Sequence, residues 1–89
     1  MKVVITVIGR DKIGIVAQIA KTLANLQINI IDISQTLMQG NFTMILIGQW
    51  EQKQISFKEV KNKFTNLAKK IGLDIHVQPQ ELFDKIQKL

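Results

Sequence analysis

One glycine-flanked corner, GRDKIG at residues 9–14, constrains the fold of this chain more than any other feature. The residues before it, KVVITVI at 2–8, are β-branched at nearly every position, which is typical of a strand buried on both faces. The residues after it carry apolar side chains at helical spacing, namely Val16, Ile19, Ala20, Leu23 and Leu26. We therefore predict a strand, a tight corner in which Asp11 caps the helix, and a first helix from about Ile13 to Leu26.

This corner has two interpretations. Glycine and aspartate are ordinary turn residues, so the geometry of the connection alone accounts for Gly9, Asp11 and Gly14. A strand-to-helix corner also directs unpaired N–H groups and a partial positive charge at one place, which suits a carboxylate or another small anion. The spacing by itself leaves both interpretations open.

The composition restricts the chemistry. The 89 residues, 46% of them apolar, are enough for one domain with one core. There is no cysteine and a single histidine, His76, and the seven acidic residues are scattered, so we expect no metal site and no cofactor. No nucleophile–base pair is evident, so we expect no enzymatic activity. No apolar run approaches the ~20 residues that span a bilayer, which predicts a cytoplasmic protein without a membrane partner.

The net charge of +5 is concentrated in one segment. Residues 53–70 contain six lysines and one acidic residue, Glu59. A lysine-rich helix face is usually solvated and keeps a protein in solution. The aromatic residues that accompany such lysines in proteins that bind single strands are missing, so the pattern does not favour a nucleic-acid partner.

Two strands follow the first helix. Residues 28–39 alternate, with Ile31, Ile33, Gln35 and Leu37 on one side and Ile30, Asp32, Ser34, Thr36 and Met38 on the other. The sequence Gln39-Gly40-Asn41 is a tight-turn signal, which predicts an antiparallel hairpin with a third strand over residues 42–50. Gly48 in that strand indicates a bulge or a close backbone approach.

The second helix has the clearest boundaries in the sequence. Ser56 and Glu59 form a capping box at its start, and Gly72 supplies the stop. Its apolar face consists of Phe57, Val60, Phe64, Leu67, Ala68 and Ile71. A fourth strand is predicted over residues 73–78, and Pro79 ends it. A terminal helix over about residues 80–88 follows, with apolar positions at Leu82, Phe83, Ile86 and Leu89.

The order of these elements predicts the fold. Two right-handed β-α-β crossovers that share one sheet give a ferredoxin-like α+β sandwich, with antiparallel strand order 4-1-3-2 and two helices on one face. Residues 1–78 form this domain and residues 79–89 a helical extension. The first strand is apolar on both sides, so a patch remains on the uncovered face that is larger than a small monomer usually exposes. We therefore predict a two-fold homodimer, with the terminal helix as a partial cover of that face.

Two motifs resemble the signature of ACT domains, small β-α-β-β-α-β modules that bind amino acids. The first is DKIGIVA at residues 11–17, directly after the first strand, and the second is Asn29-Ile30 followed by DISQ at residues 32–35. The chain is most similar to the short standalone ACT proteins of the uncharacterised UPF0237 family. It is also similar to the ACT modules of the glycine-cleavage repressor and of formyltetrahydrofolate deformylase. The resemblance covers about residues 1–78.

The resemblance implies a ligand site at a subunit interface. The residues that it implies are Asp11, Lys12, Ile13 and Gly14 of one subunit and Asn29 and Ile30 of the facing subunit. An amino acid offers a carboxylate for the N–H groups of the corner and an ammonium for Asp11, Asp32 or a carbonyl. Ligand-binding members often have asparagine and proline where this chain has Asp11 and Ile13. A carboxylate at position 11 repels a neighbouring ligand carboxylate, which leaves a reversed, a different or an absent ligand open.

The function implied by the resemblance is regulatory. A dimer of this kind senses an amino acid or a related metabolite and acts through a protein partner that the sequence does not identify. The ligand would stabilise one subunit arrangement over another. The alternative is a protein–protein interaction or dimerisation module in which the corner is purely structural and the apolar face recruits another protein.

Overall fold

The computed structural model describes residues 1–51 and 53–87, with side chains up to residue 84. Its elements are β1 (Lys2–Arg10), α1 (Ile15–Asn25), β2 (Asn29–Met38), β3 (Asn41–Gln49), α2 (Phe57–Ile71), β4 (Asp74–Pro79) and α3 (Gln80–Gln87). The strands form one antiparallel sheet in the order β2-β3-β1-β4, which is the predicted order read from the other edge. The predicted ferredoxin-like fold is confirmed. Lys88, Leu89 and the side chain of Ile86 lie outside the described part.

The core lies between the sheet and the first two helices. Val3, Ile5 and Val7 of β1 are fully buried and belong to this core. The helices contribute Ile15, Ile19, Leu23, Val60, Phe64 and Leu67. Because alternate residues of a strand point to opposite faces, Val4, Thr6 and Ile8 lie on the other, open face.

The start of α1 differs from the prediction. Gly14, not Asp11, is the N-cap residue, with a left-handed φ of 86° and no side-chain cap. The helix therefore begins two residues later than expected. Ile15 is buried, whereas Val16 and Ala20, both predicted for the buried face, are exposed beside β2. After the helix, Gln27 adopts a left-handed conformation, with φ 58°.

The start of β2 also corrects the predicted alternation. The register with β3 shifts between Ile30 and Asp32, so Ile31 is the extra residue of a β-bulge. As a result Ile30 lies on the helix side, opposite Gly48, although the simple alternation placed it on the other side. Gly48 itself marks a close approach, because a Cβ built there would stand 2.8 Å from Cγ2 of Ile28.

The predicted hairpin turn and the predicted limits of α2 are confirmed. Gln39 and Gly40 have φ values of 52° and 80°, as a two-residue hairpin turn with the twist of its strands requires. The hydroxyl oxygen of Ser56 accepts a hydrogen bond of 3.2 Å from the N–H of Glu59. Gly72 ends α2 in the left-handed conformation. The short-range signals in this sequence thus set both the β2–β3 hairpin and the limits of α2.

The open face of the sheet is only partly apolar. α3 contacts β1 and β4 at the end of the sheet where Val4 lies, and Val4 is 2% exposed. At the other end of β1, Ile8 is 45% exposed. Hydroxyl side chains interrupt the apolar ones on this face, namely Thr6, Ser34, Thr36 and Thr43. The predicted homodimer stays a prediction, and this face is a weaker reason for it than the sequence indicated.

The cap of α2 gives a first test of the fold. Replacing Ser56 by alanine should lower the free energy of unfolding by about 1 kcal/mol, because the N–H of Glu59 loses its acceptor. Urea denaturation measures the change. Lys58→Ala, in the same exposed turn, is the matched control and should stay within about 0.5 kcal/mol of the parent. An equal loss in the two variants would contradict the role of the cap.

Candidate functional site

The corner at residues 11–14 lies against the tip of the β2–β3 hairpin. The backbone N–H of Asp11 donates a 2.9 Å hydrogen bond to the carbonyl of Gly40, and Arg10 pairs with Asn41 in the sheet. Around Gly14 the space is open, since no described atom apart from Gly14 and its two chain neighbours lies within 4 Å of a Cβ built there. The corner is therefore fixed on its hairpin side and accessible on the side of Gly14.

The beginning of α1 offers hydrogen-bond donors. Its N-cap, Gly14, has no side chain, and the first turn contains no acidic residue. The N–H of Ile15 is 3.5 Å from the carbonyl oxygen of Lys12, which is long for a hydrogen bond. The first N–H groups of α1 therefore remain available to a small anion, and the helix dipole adds a partial positive charge there.

The Lys12 side chain reaches α2 across the fold. Its Nζ donates a 3.0 Å hydrogen bond to the carbonyl of Ile71, the last residue of α2. A cation at that position satisfies a carbonyl that has no partner within the helix and opposes the negative end of the helix dipole. Lys12 thus links the corner to α2, and its predicted contact with a ligand stays a prediction.

Charged and apolar groups are both exposed at the corner. Arg10, Asp11 and Lys12 are exposed, and within residues 1–51 and 53–84 the Asp11 carboxylate makes no hydrogen bond or ion pair. Ile13 is fully exposed, which is unusual for an isoleucine in a folded domain. Met38, at the end of β2 near the same hairpin tip, is 66% exposed. Solvent-facing isoleucine and methionine side chains indicate a contact surface.

The second group of predicted residues lies at the far end of the sheet. Asn29 pairs with Gln49, whereas the corner follows the other end of β1. Nine residue steps along β2, at about 3.3 Å each, separate Asn29 from Met38 by roughly 30 Å. One chain therefore brings Asp11, Lys12, Ile13 and Gly14 together but does not bring them to Asn29, Ile30 and Asp32. The Asp32 carboxylate accepts a 2.9 Å hydrogen bond from the N–H of Ile33 at the bulge.

Strand β2 is an uncovered edge. It is the outer strand of the sheet, and all ten of its residues are exposed. Natural edge strands are commonly protected by charged residues, proline, bulges or short length. β2 contains no lysine or proline, and its one charged residue, Asp32, and its bulge at Ile31 both lie near its start. Its exposed apolar side chains are Ile30, Ile31, Ile33, Leu37 and Met38. A crevice against Val16 and Ala20 of α1 extends this surface.

Other parts of the described surface are weaker candidates. A hollow of about 590 Å³ lies near the start of β1 and of α3, far from the corner, and is bordered by Lys2, Glu81 and Asp84. His76 is exposed on the open face, opposite Thr6. In the described part of the chain, no three histidine or acidic side chains converge as a metal site would require. None of its helices is long and apolar enough to cross a bilayer.

The sequence analysis did not predict two contacts that the corner makes, one with Gly40 and one with Ile71. Gly40 touches it through the hairpin tip, and the predicted strand order contained that signal, because β1 and the hairpin end at the same edge of the sheet. Ile71 touches it through Lys12, over a separation of 59 residues. No local pattern identifies that second contact, since it depends on where α2 ends in space.

Comparison with known proteins supports one family. The sequence profile described as "ACT domain" matches residues 2–78. A UPF0237 protein of Clostridium acetobutylicum is 43% identical over 89 residues, covering all of both chains. The structure of an ACT domain protein from Streptococcus pneumoniae is similar with a TM-score of 0.82 and 37% identity, over 93% of each chain.

Two larger proteins contain the same fold. A putative glycine cleavage system transcriptional repressor is similar with a TM-score of 0.78 and 21% identity, over 86% of this chain and 44% of that one. A formyltetrahydrofolate deformylase of Pseudomonas putida is similar with a TM-score of 0.77 and 9% identity, over 88% of this chain and 28% of that one. At these identities the likeness concerns the fold alone.

The link between Lys12 and α2 predicts a measurable stability effect. Lys12→Met keeps the aliphatic stem but removes the donor to Ile71, so the free energy of unfolding should fall by about 0.5–1 kcal/mol. Lys63→Met removes an exposed lysine from the middle of α2 and should change the free energy of unfolding by less than about 0.5 kcal/mol. Urea denaturation of both variants at one salt concentration compares them. Equal effects would contradict a specific role of Lys12.

Proposed function

Because this chain belongs to the ACT-domain family, among its UPF0237 members, we propose that it binds an amino acid between two copies of itself and thereby regulates a protein partner. An ACT domain is a regulatory module that binds small molecules, which gives the class of function. The amino acid, the dimer and the partner are the parts that we propose.

The edge of β2 carries the proposal. A ten-residue edge strand with five exposed apolar side chains and no lysine, arginine or proline is a template for strand pairing. Antiparallel pairing with β2 of a second copy would join two four-stranded sheets into one of eight strands. It would also cover the crevice between β2 and Val16 of α1. We therefore place the two-fold axis at this edge rather than on the open face.

Edge pairing would assemble the proposed site. In an antiparallel arrangement the Met38 end of one β2 lies beside the Asn29 end of the other. The corner of one subunit, which is tied to the hairpin tip through Asp11 and Gly40, then approaches Asn29 and Ile30 of the second subunit. The roughly 30 Å that separates these groups within one chain is thereby removed. Each dimer would contain two equivalent sites.

The chemistry of the corner favours a zwitterion. The first N–H groups of α1 suit a carboxylate, and the free Asp11 carboxylate suits an ammonium group. An amino acid carries a carboxylate and an ammonium group on the same carbon. Its carboxylate can therefore face the N–H groups of α1 while its ammonium faces Asp11, so that the two carboxylates do not lie side by side. The ligand carboxylate would then lie toward Gly14, on the open side of the corner, and its ammonium toward Asp11.

The dimer is tested by placing charge on the edge. The double variant Ile31→Lys/Leu37→Lys should be monomeric in analytical ultracentrifugation, because lysines on an edge strand oppose pairing. Ile8→Lys is the control, since Ile8 is an exposed apolar residue of the open face. It should leave the dimer intact. If Ile8→Lys were monomeric and the β2 variant dimeric, the interface would lie on the open face instead. If the parent protein were monomeric, the proposed dimer would be wrong.

Ligand binding is tested by calorimetric titration of the parent dimer with each of the common amino acids. We expect at least one to bind, and Asn29→Ala to weaken it by about ten-fold through loss of a hydrogen-bonding amide. Asn66→Ala, on the outer surface of α2, should leave the affinity unchanged. A dimer that releases no heat with any of them would refute the ligand and favour a purely structural corner.

A module without a ligand is the second candidate. The observation in its favour is the exposed apolar pair Ile13 and Met38 near the hairpin tip, which would suit a protein contact as well as a ligand pocket. In that case Lys12 and its bond to Ile71 serve only to hold the corner in shape. The calorimetric result distinguishes the two functions.

A further inference from the structure

The outer surface of the helix layer carries the whole net charge of the chain. α1 and α2 contain six lysines, at positions 21, 58, 61, 63, 69 and 70, and one acidic residue, Glu59. Six positive charges and one negative charge leave +5, which equals the net charge of all 89 residues. A small domain with its charge on one side attracts an acidic partner to that side.

A groove of about 410 Å³ crosses this surface between α1 and α2. Leu67 is buried there, and Leu26 and Thr22 are half-buried, with the Thr22 hydroxyl donating a hydrogen bond to the carbonyl of Gln18 within α1. Asn25 and Asn66 are exposed on its two sides, one from each helix. The groove therefore has an aliphatic floor and amide groups that both donate and accept hydrogen bonds.

Two lysines border the groove along α2. Lys63 and Lys70 are seven residues apart, so they lie on one face of the helix about 10.5 Å from each other along its axis. Both are exposed, and within residues 1–51 and 53–84 neither forms an ion pair. Their charges are therefore available to a partner.

We propose that this groove binds an acidic amphipathic helix of a partner protein. Carboxylates two turns apart on such a helix match the spacing of Lys63 and Lys70. An apolar side chain of the same helix, three or four residues after the first carboxylate, would lie between the two carboxylates and contact Leu26 and Leu67. This is helix-in-groove recognition, in which the apolar contact supplies affinity and the charges supply steering and register.

The floor of the groove decides against nucleic acid. A phosphodiester backbone offers nothing apolar to place on Leu26 and Leu67. Among the described side chains, no aromatic ring on which a base could stack borders the groove. The lysines alone would attract either a nucleic acid or an acidic helix, but the two leucines favour contact with an apolar side chain of a protein.

The test uses a designed peptide as the probe. It is a labelled 16-residue helix with glutamates at positions i and i+7 and leucines at i+3 and i+4, and fluorescence anisotropy measures its affinity. We expect binding to the parent protein and a loss of at least about five-fold in Lys63→Gln/Lys70→Gln. The control Lys58→Gln/Lys61→Gln makes the same charge change outside the groove and should lose less than about two-fold. Circular dichroism verifies that both variants are folded.

Three kinds of result would overturn the proposal. The first is no binding of the peptide at low salt. The second is an equal loss in the two lysine pairs, or equal binding of a peptide with alanine in place of leucine, since either reveals attraction by net charge alone. The third is tighter binding of a 16-base-pair RNA duplex than of the peptide. The result does not depend on ligand binding at the corner, so it tests the groove separately from the proposed function.

Discussion

The unpaired edge of β2 is the constraint on which the rest of this molecule depends. The strand order fixes β2 at the outside of the sheet, and its exposed apolar side chains include Ile33 and Leu37. Beyond the bulge at Ile31 and the carboxylate of Asp32, this edge carries no charged residue up to Met38, and such an edge favours pairing with a further strand. The separation of the two halves of the proposed ligand site follows from the same strand, because β2 runs the full length of the sheet between them.

The corner at residues 11–14 connects three elements. Asp11 ties it to the β2–β3 hairpin, Lys12 ties it to the end of α2, and Gly14 begins α1. A ligand held there would contact a segment that is hydrogen-bonded both to the β2–β3 hairpin and to α2. Binding energy at the corner can therefore bias both the proposed dimer and the outer helical surface, which is the physical requirement for a regulatory module. Such a coupling would be local, because it would act through two hydrogen bonds, from Asp11 to Gly40 and from Lys12 to Ile71.

The two surfaces of the molecule have different characters. The edge of β2 is apolar and nearly uncharged, and it suits a second copy of the same chain. The outer side of the helices is strongly positive and suits an acidic partner. The residues that border the groove between α1 and α2 are different from those of the crevice beside β2, so the proposed edge pairing does not use them. Self-association and partner recognition are thus compatible in one small domain.

Much of the architecture could be predicted because its signals are local. Ser56 and Gly72 define α2, and Gln39-Gly40 defines the hairpin, through backbone conformations that few other residues adopt. The predictions were wrong where a local pattern had two solutions. Asp11 was as good a cap in sequence as Gly14, and an alternating strand does not reveal the bulge that moved Ile30 to the other face.

The sequence by itself determined the order of elements, the strand order and the presence of an exposed corner, because apolar periodicity and turn residues act over a few positions. Only the tertiary structure decided that Lys12 binds the end of α2, that Val16 faces an open crevice, and that Asn29 lies far from Gly14. These are distances between residues that are remote in the chain, and they depend on the register of the sheet and on where each helix ends.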